Sequence, residues 1–152
     1  KGRAQAYGAI ELLGDSHNAG FYREDAFLAM VVISDEDDYS GNNPVSLGEF
    51  TSWLQNLKPE KDMVSFSSIV GPDGGCSTAI EPGSDYLHVT RTIGGIEWSI
   101  CDSNWNQVLE ELVLGKSLGD WDYEIEEPTN FIGYEPKAYL FITDEKEKVR
   151  NE

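Results

Sequence analysis

Apolar positions along the chain follow two alternating patterns, one typical of buried strands and one of amphipathic helices. Residues 26–33 form a continuous apolar run, which is typical of a strand covered on both faces, as in a parallel sheet. The segments 63–70 and 96–100 are predicted as two further strands. Between the three strands, residues 47–57 and 84–93 have apolar side chains at helical spacing. The pattern therefore predicts strands that are connected by helices.

Start and stop signals support these helices. Ser46 is followed three positions later by Glu49, which is the capping-box pattern at the start of a helix. Gly94 and Gly95 directly follow the segment 84–93 and are predicted to end that helix. Two more helices are expected, over residues 4–13 and 103–113.

The alternation of helices and strands predicts an α/β fold of the Rossmann-like type, with a mainly parallel sheet and helices on both of its faces. We expect the strand over residues 27–33 to lie near the centre of this sheet. Beyond Gly115 the pattern changes, and residues 121–132 are predicted as an antiparallel hairpin, followed by a last strand over residues 139–143. We therefore divide the chain into residues 1–115 and a C-terminal extension, 116–152, that ends in a charged tail.

The charge balance excludes some classes of partner. The chain has 28 acidic and 11 basic residues and a formal net charge of −17, which repels phosphate backbones, so no nucleic acid partner is expected. No apolar run approaches the roughly 20 residues that a membrane span needs. The many aromatic residues are typical of a globular domain with a packed core.

The acidic run after the first predicted strand is the main candidate for chemistry. In open α/β sheets, ligands bind in the crevice beyond the carboxyl ends of the strands. Crowded carboxylates repel one another unless a cation neutralises them, and Mg²⁺ or Ca²⁺ takes oxygen ligands of this kind. An acidic loop that only ends a strand is the alternative interpretation. The candidate metal ligands are Asp35, Glu36, Asp37, Asp38 and Ser40.

Two segments resemble the C-terminal half of von Willebrand factor type A-like domains of the bacterial secreted type. Residues 23–38 resemble the fourth strand of these domains with its acidic end, and residues 86–101 resemble their late helix, glycine turn and final strand. In that family the strand-end Asp belongs to a metal-ion-dependent adhesion site, and Asp35 holds the matching position. The resemblance implies a cation that keeps one coordination position open for a carboxylate of the partner.

The family's Asp-x-Ser-x-Ser metal loop does not occur in this sequence. The resemblance therefore implies that another chain supplies the remaining ligands, that the chain is a fragment, or that the site is degenerate. Glu36, Asp37, Asp38 and Ser40 could alternatively bind a separate Ca²⁺.

Cys76 and Cys101 are the two cysteines of the chain. An even count, together with the secreted character of the family, predicts a disulfide between them, and closing such a loop stabilises the fold by about 3 kcal/mol. Two unpaired thiols in a cytosolic protein are the alternative.

The function expected from these features is an extracellular, periplasmic or cell-surface module for protein binding and adhesion, assisted by Mg²⁺ or Ca²⁺. Its partner would be a protein ligand or the missing N-terminal half of the domain. One alternative is a metal-dependent hydrolase that uses the strand-end carboxylates to activate water, although no histidine or nucleophile accompanies them. The other is a structural subunit of a surface assembly that another chain completes.

Overall fold

The computed structural model describes residues 1–12 and 18–114, and these residues form an α/β unit. The predicted hairpin over 121–132 and the strand over 139–143 lie outside the described residues. A π-helical turn, Gly8–Leu12, extends the first helix, and a 3-10 turn, Lys61–Met63, precedes the second strand. In chain order the elements are α1 (Gly2–Tyr7), β1 (Leu28–Ser34), α2 (Leu47–Gln55), β2 (Val64–Val70), α3 (Ser84–Ile93), β3 (Glu97–Ser99) and α4 (Trp105–Leu114).

The three strands form a parallel sheet in the order β1-β2-β3. Leu28 lies opposite Val64 at the start of the first ladder, and Ser68 lies opposite Glu97 at the start of the second. The predicted parallel sheet of an α/β fold is therefore confirmed for the described part of the chain, and the placement of helices on both faces stays a prediction.

The central strand is β2, so the prediction that residues 27–33 lie near the centre is wrong for the described sheet. All seven residues of β2 are buried, whereas β1 lies at an edge and most of its residues are only half-buried. The continuous apolar run of β1 favoured a central position for that strand. The serines of β2 gave no indication that β2 is the central strand. Ser67 and Ser68 can be central because each makes hydrogen bonds inside the protein.

These buried serines connect β2 to the elements beside it. The Ser67 hydroxyl oxygen accepts a hydrogen bond from the Ile96 amide at 3.0 Å. The Ser68 hydroxyl donates to the Tyr86 carbonyl at 3.2 Å and also bonds the Thr90 hydroxyl, both in α3. Small polar side chains therefore hold helix α3 close against the central strand.

The core lies between the sheet and helices α1, α2 and α3. Phe50 of α2 meets Phe66 of β2 edge-to-face, with ring centroids 6.1 Å apart. The capping box predicted from Ser46 and Glu49 is present at the start of α2. The buried core cluster contains Ala6, Met30, Val32, Phe50, Leu54, Val64, Phe66, Val70, Tyr86, Leu87 and Val89.

Gly95 is required where the chain passes from α3 to β3. A Cβ atom at this position would lie 2.2 Å from the Phe66 carbonyl oxygen, closer than any side chain permits. Gly94 ends the helix with a φ of 100°, in the region that favours glycine. The predicted stop at these two glycines is therefore confirmed.

Candidate functional site at the carboxyl ends of the strands

The three parallel strands end on the same side of the sheet, and the segments that follow them form one surface. We call this surface the carboxyl-end face and define it as residues 35–40, 71–83 and 100–101. The predicted acidic run and the loop that carries Cys76 both belong to it. The topology thus brings together the two features that the sequence singled out separately.

A disulfide fixes the loop 71–83 of this face. The sulfurs of Cys76 and Cys101 are 1.95 Å apart and the two Cα atoms 6.2 Å apart, which confirms the predicted bond. Thr78 adds two hydrogen bonds to the Cys101 sulfur, from its amide at 3.2 Å and from its hydroxyl at 2.8 Å. The loop is therefore attached firmly to the end of β3.

Asp38, at the end of the acidic run, is buried and paired with Arg3. Its carboxylate lies 2.5 Å from Arg3 Nε, and neither side chain is more than 1% exposed. The Ser40 hydroxyl donates a hydrogen bond to the same carboxylate at 2.7 Å. Arg3 also donates to the carbonyls of Gly41 and Val45. Asp38 and Ser40 thus have a structural role that the sequence did not indicate, because Arg3 is distant along the chain.

Asp37 stabilises the start of helix α3. One of its carboxylate oxygens accepts the amide hydrogen of Asp85, in the first turn of α3, at 2.9 Å, and that of Asp38 at 2.8 Å. Gly83, the residue before the helix, cannot cap α3 with a side chain, so Asp37 acts from the neighbouring segment. Burial, and then the negative charge of Asp37, raise the pKa of Asp85 above its ordinary value.

Asp35 and Glu36 differ from the two aspartates that follow them. The Asp35 carbonyl accepts hydrogen bonds from the amides of Ile80 and Glu81, at 2.8 and 3.2 Å, while its side chain is exposed. The backbone of Glu36 bonds the Ser34 hydroxyl. Among the described residues, no group donates a hydrogen bond to the carboxylate of Asp35 or Glu36. These two carboxylates are the part of the predicted ligand set that stays available for a cation or a partner.

The five predicted metal ligands are therefore neighbours in space but do not converge. Within residues 1–12 and 18–114, no group of three or more His, Cys, Asp or Glu side chains is arranged to hold a metal ion. Asp37, Asp38 and Ser40 are engaged in protein contacts, and Asp35 and Glu36 are not. The cation predicted from the sequence would have to rely on Asp35 and Glu36 and on ligands from elsewhere.

Two exposed apolar side chains lie within this acidic surface. Tyr39 is 61% exposed and Ile80 is 70% exposed. The Tyr39 hydroxyl donates a hydrogen bond to the Glu81 carboxylate, which also accepts the Asp37 amide at 3.0 Å. This bond raises the pKa of Tyr39 to about 12 and lowers the pKa of Glu81 below its ordinary value. Tyr39 and Ile80 were not predicted from the sequence, because their exposure depends on how the loops fold.

Comparisons with known proteins found no relative of this chain. No family model matches the chain, and neither does any curated protein or solved structure. The resemblance to von Willebrand factor type A-like domains therefore stays a prediction. In the described part of the chain, no helix is long and apolar enough to cross a membrane.

Proposed function

We propose that this protein is a binding module that recognises a protein partner through its carboxyl-end face, in an extracellular or periplasmic setting. The observation that carries the proposal is that Tyr39 and Ile80 are both exposed on this face, where the Tyr39 hydroxyl bonds the Glu81 carboxylate. The Cys76–Cys101 disulfide supports the setting, because disulfides persist mainly in oxidising compartments.

The contacts of the two apolar side chains favour a binding role. Tyrosine is enriched among the residues that dominate protein interfaces, since it combines a large apolar ring with a polar tip. The bond from Tyr39 to Glu81 and the bond from the Ile80 amide to Asp35 limit the freedom of both segments before a partner arrives. Rigid surface groups lose less entropy on binding, which favours affinity.

Three acidic residues of the carboxyl-end face, which we call the acidic rim, determine which charged groups a partner needs besides an apolar side chain. They are Asp35, Glu36 and Glu81. The Tyr39 hydroxyl bonds the Glu81 carboxylate, and the Ile80 amide bonds the carbonyl of Asp35, which Glu36 follows, on a chain whose net charge is −17. Lysine or arginine side chains of the partner would complement this rim and accelerate encounter. A Mg²⁺ or Ca²⁺ ion at Asp35 and Glu36 is the other way to complement it, because carboxylate oxygens are the preferred ligands of these ions.

Selection of peptides from a random displayed library on the immobilised protein tests the proposal. We expect the selected peptides to bind at least about tenfold more weakly to Tyr39→Ala and Ile80→Asp. Leu109→Asp is the matched control, since Leu109 is also an exposed apolar residue, 55%, but lies on α4 outside the face. Equal binding to all three variants and to the native protein would refute the proposal.

Binding of the same peptides, measured with and without Mg²⁺ or Ca²⁺, tests whether a cation assists binding. If Mg²⁺ or Ca²⁺ assists binding, millimolar concentrations of the ion will strengthen peptide binding, and Asp35→Ala will abolish that gain without abolishing the ion-independent part. If the partner's own basic side chains complement the rim, the ion will weaken binding by competition, and added salt will do the same.

A further inference from the structure

We infer that the Cys76–Cys101 disulfide is a site of thiol exchange, at which a thiolate of an external dithiol attacks the Cys76 sulfur and Cys101 leaves as the thiolate. This inference does not depend on the proposed function, because it concerns the chemistry of the bond and not the recognition of a partner. It rests on the unequal hydrogen bonding of the two sulfurs, on the exposure of the loop and on the contacts that hold the loop when the bond opens.

Hydrogen-bond donors surround the two sulfurs unequally. The Cys101 sulfur accepts from the amide and the hydroxyl of Thr78, at 3.2 and 2.8 Å. The Cys76 sulfur accepts from the Ser99 hydroxyl at the longer distance of 3.8 Å. A disulfide sulfur is a weak acceptor, whereas a thiolate carries a full charge, and hydrogen bonds to charged groups are roughly twice as strong as neutral ones. The donors of Thr78 therefore favour the state in which Cys101 carries the negative charge, and the more stable thiolate leaves faster.

The bond is accessible to a small thiol. Residues 73–75, 77 and 78, which flank Cys76 in the chain, are exposed, and both cysteines are half-buried. A Cβ atom at Gly74 or Gly75 would meet no atom from elsewhere in the structure within 4 Å, so open space lies beside the chain just before Cys76. A thiol can therefore approach the Cys76 sulfur without unfolding of the core.

Backbone hydrogen bonds hold the loop in place when the disulfide opens. The Gly83 amide donates to the Gly71 carbonyl at 2.9 Å and closes the base of the loop. The amides of Ile80 and Glu81 donate to the Asp35 carbonyl, which fixes the second half of the loop. The two thiols of the reduced protein therefore stay near each other, and this proximity favours closure of the bond and makes the exchange reversible.

The exchange is balanced in atoms and electrons. The attacking thiolate forms a bond to the Cys76 sulfur, and the electron pair of the broken bond stays on Cys101. The second thiol of the dithiol then loses its proton to water and attacks its own partner sulfur in the mixed disulfide, so that Cys76 leaves and takes up a proton. The dithiol is thereby oxidised to a disulfide, and the protein is reduced by two electrons.

Mapping of the mixed disulfides formed with a monothiol tests the inference. The whole folded protein is treated briefly with 2-mercaptoethanol, the freed cysteine is trapped with N-ethylmaleimide, and the two possible adducts are quantified by mass spectrometry. We expect the 2-mercaptoethanol adduct on Cys76 to exceed that on Cys101 at least about tenfold. Two hydrogen bonds to a thiolate contribute more than this factor in total, and part of it is gained in the transition state.

Thr78→Val provides the matching change in the protein. Valine keeps the branched shape and the amide but lacks the hydroxyl, so the preference for Cys76 should fall at least about threefold, and Thr78→Ser should restore it. Ser77→Ala is the control, because Ser77 is an exposed hydroxyl residue directly beside Thr78. This variant should leave the preference unchanged.

Two single variants keep the test decisive if Thr78→Val does not fold. Cys76→Ser leaves Cys101 as the one thiol of the chain, and Cys101→Ser leaves Cys76. The ultraviolet absorbance of the thiolate, followed during titration, should show that the Cys101 thiol ionises at a lower pH than the Cys76 thiol. The reverse order would overturn the inference.

Three further results would also overturn it. Equal adducts on the two cysteines of the folded protein would show that neither sulfur is favoured. A preference that survives in Thr78→Val would show that it arises from access and not from hydrogen bonding. Reduction by dithiothreitol that is only as fast as global unfolding, as measured by amide hydrogen exchange, would show that the bond is purely structural.

Discussion

Arg3 and Asp38 form an ion pair in which both side chains are buried, and this pair joins helix α1 to the segment that follows β1. Arg3→Met should lower the free energy of unfolding by about 3–5 kcal/mol, because it removes the buried guanidinium that neutralises the Asp38 carboxylate inside the protein. Urea denaturation followed by circular dichroism measures this loss. The double variant Arg3→Met/Asp38→Leu should recover much of the stability, since it removes both charges.

The pair Arg23–Asp25 provides the control for this experiment. It has a similar geometry, with 2.8 Å between nitrogen and oxygen, but its side chains are 62% and 74% exposed. Solvent screens such a pair, so Arg23→Met should leave the free energy of unfolding nearly unchanged. Equal losses for the two single variants would contradict a special role for Arg3.

Gly71 and Gly74 lie in the same loop of the carboxyl-end face but should respond differently to alanine. A Cβ atom at Gly71 would lie 2.3 Å from the Glu81 carbonyl oxygen, whereas one at Gly74 would meet no atom within 4 Å. Gly71→Ala should therefore cost about 1–3 kcal/mol, and Gly74→Ala should change stability by less than about 0.5 kcal/mol. Thermal unfolding of the two variants makes the comparison, and similar melting temperatures would show that the loop is not closely packed.

Loss of the disulfide should destabilise the protein. The double variant Cys76→Ser/Cys101→Ser should lose about 3 kcal/mol, because the unfolded chain is no longer constrained by the cross-link. Urea denaturation of the native protein with and without reductant provides the control, and the reduced protein should resemble the variant. Peptide mapping without reductant should find no thiol that an alkylating reagent can modify; two alkylated cysteines would contradict the bond.

The bond between Tyr39 and Glu81 predicts a response to acid. It holds the pKa of Glu81 below its ordinary value of 4.5. The stability that this bond contributes is therefore fully present above pH 4.5 and is lost as the pH falls through the lower, folded-state pKa. Tyr39→Phe should raise the pKa of Glu81 towards 4.5, as measured by NMR titration of its carboxyl carbon.

Tyr22→Phe is the control for the acid experiment, because the Tyr22 hydroxyl donates to the Leu57 carbonyl and not to a carboxylate. This variant should leave the titration of Glu81 unchanged. A Glu81 pKa that does not move in Tyr39→Phe would refute the assignment of the shift to the phenol.

The sequence predicted the elements of the fold better than their arrangement. The helix expected over residues 84–93 coincides with α3, since local spacing and two glycines define it. The position of β2 in the sheet could not be predicted in this way, because Ser67 and Ser68 are polar and their bonding partners are distant in sequence. A continuous apolar run shows that a strand is shielded from water, but it does not show which neighbours shield it.

The same limit applies to the candidate site. Its location at the end of β1 followed from the pattern, and the pairing of the two cysteines followed from their even count and the secreted character of the resembled family. Which residues of the acidic run make protein contacts could not be predicted. Asp37 contacts Asp85 and Asp38 contacts Arg3, and these two partners come close only in the folded protein. Tyr39 and Ile80 gave no signal for a similar reason, since the exposure of a single apolar residue in a loop depends on how that loop folds.

The parallel register also has a consequence for the protein during its synthesis. Leu28 pairs with Val64, so β1 leaves the ribosome long before its neighbour β2 exists. Sheets built from such distant pairs form slowly, and an apolar strand that waits for its neighbour is prone to aggregate. Four acidic residues, 35–38, directly follow β1 in the chain. They place a dense negative charge at the end of the nascent strand, and this charge opposes association with other unfinished chains until β2 arrives.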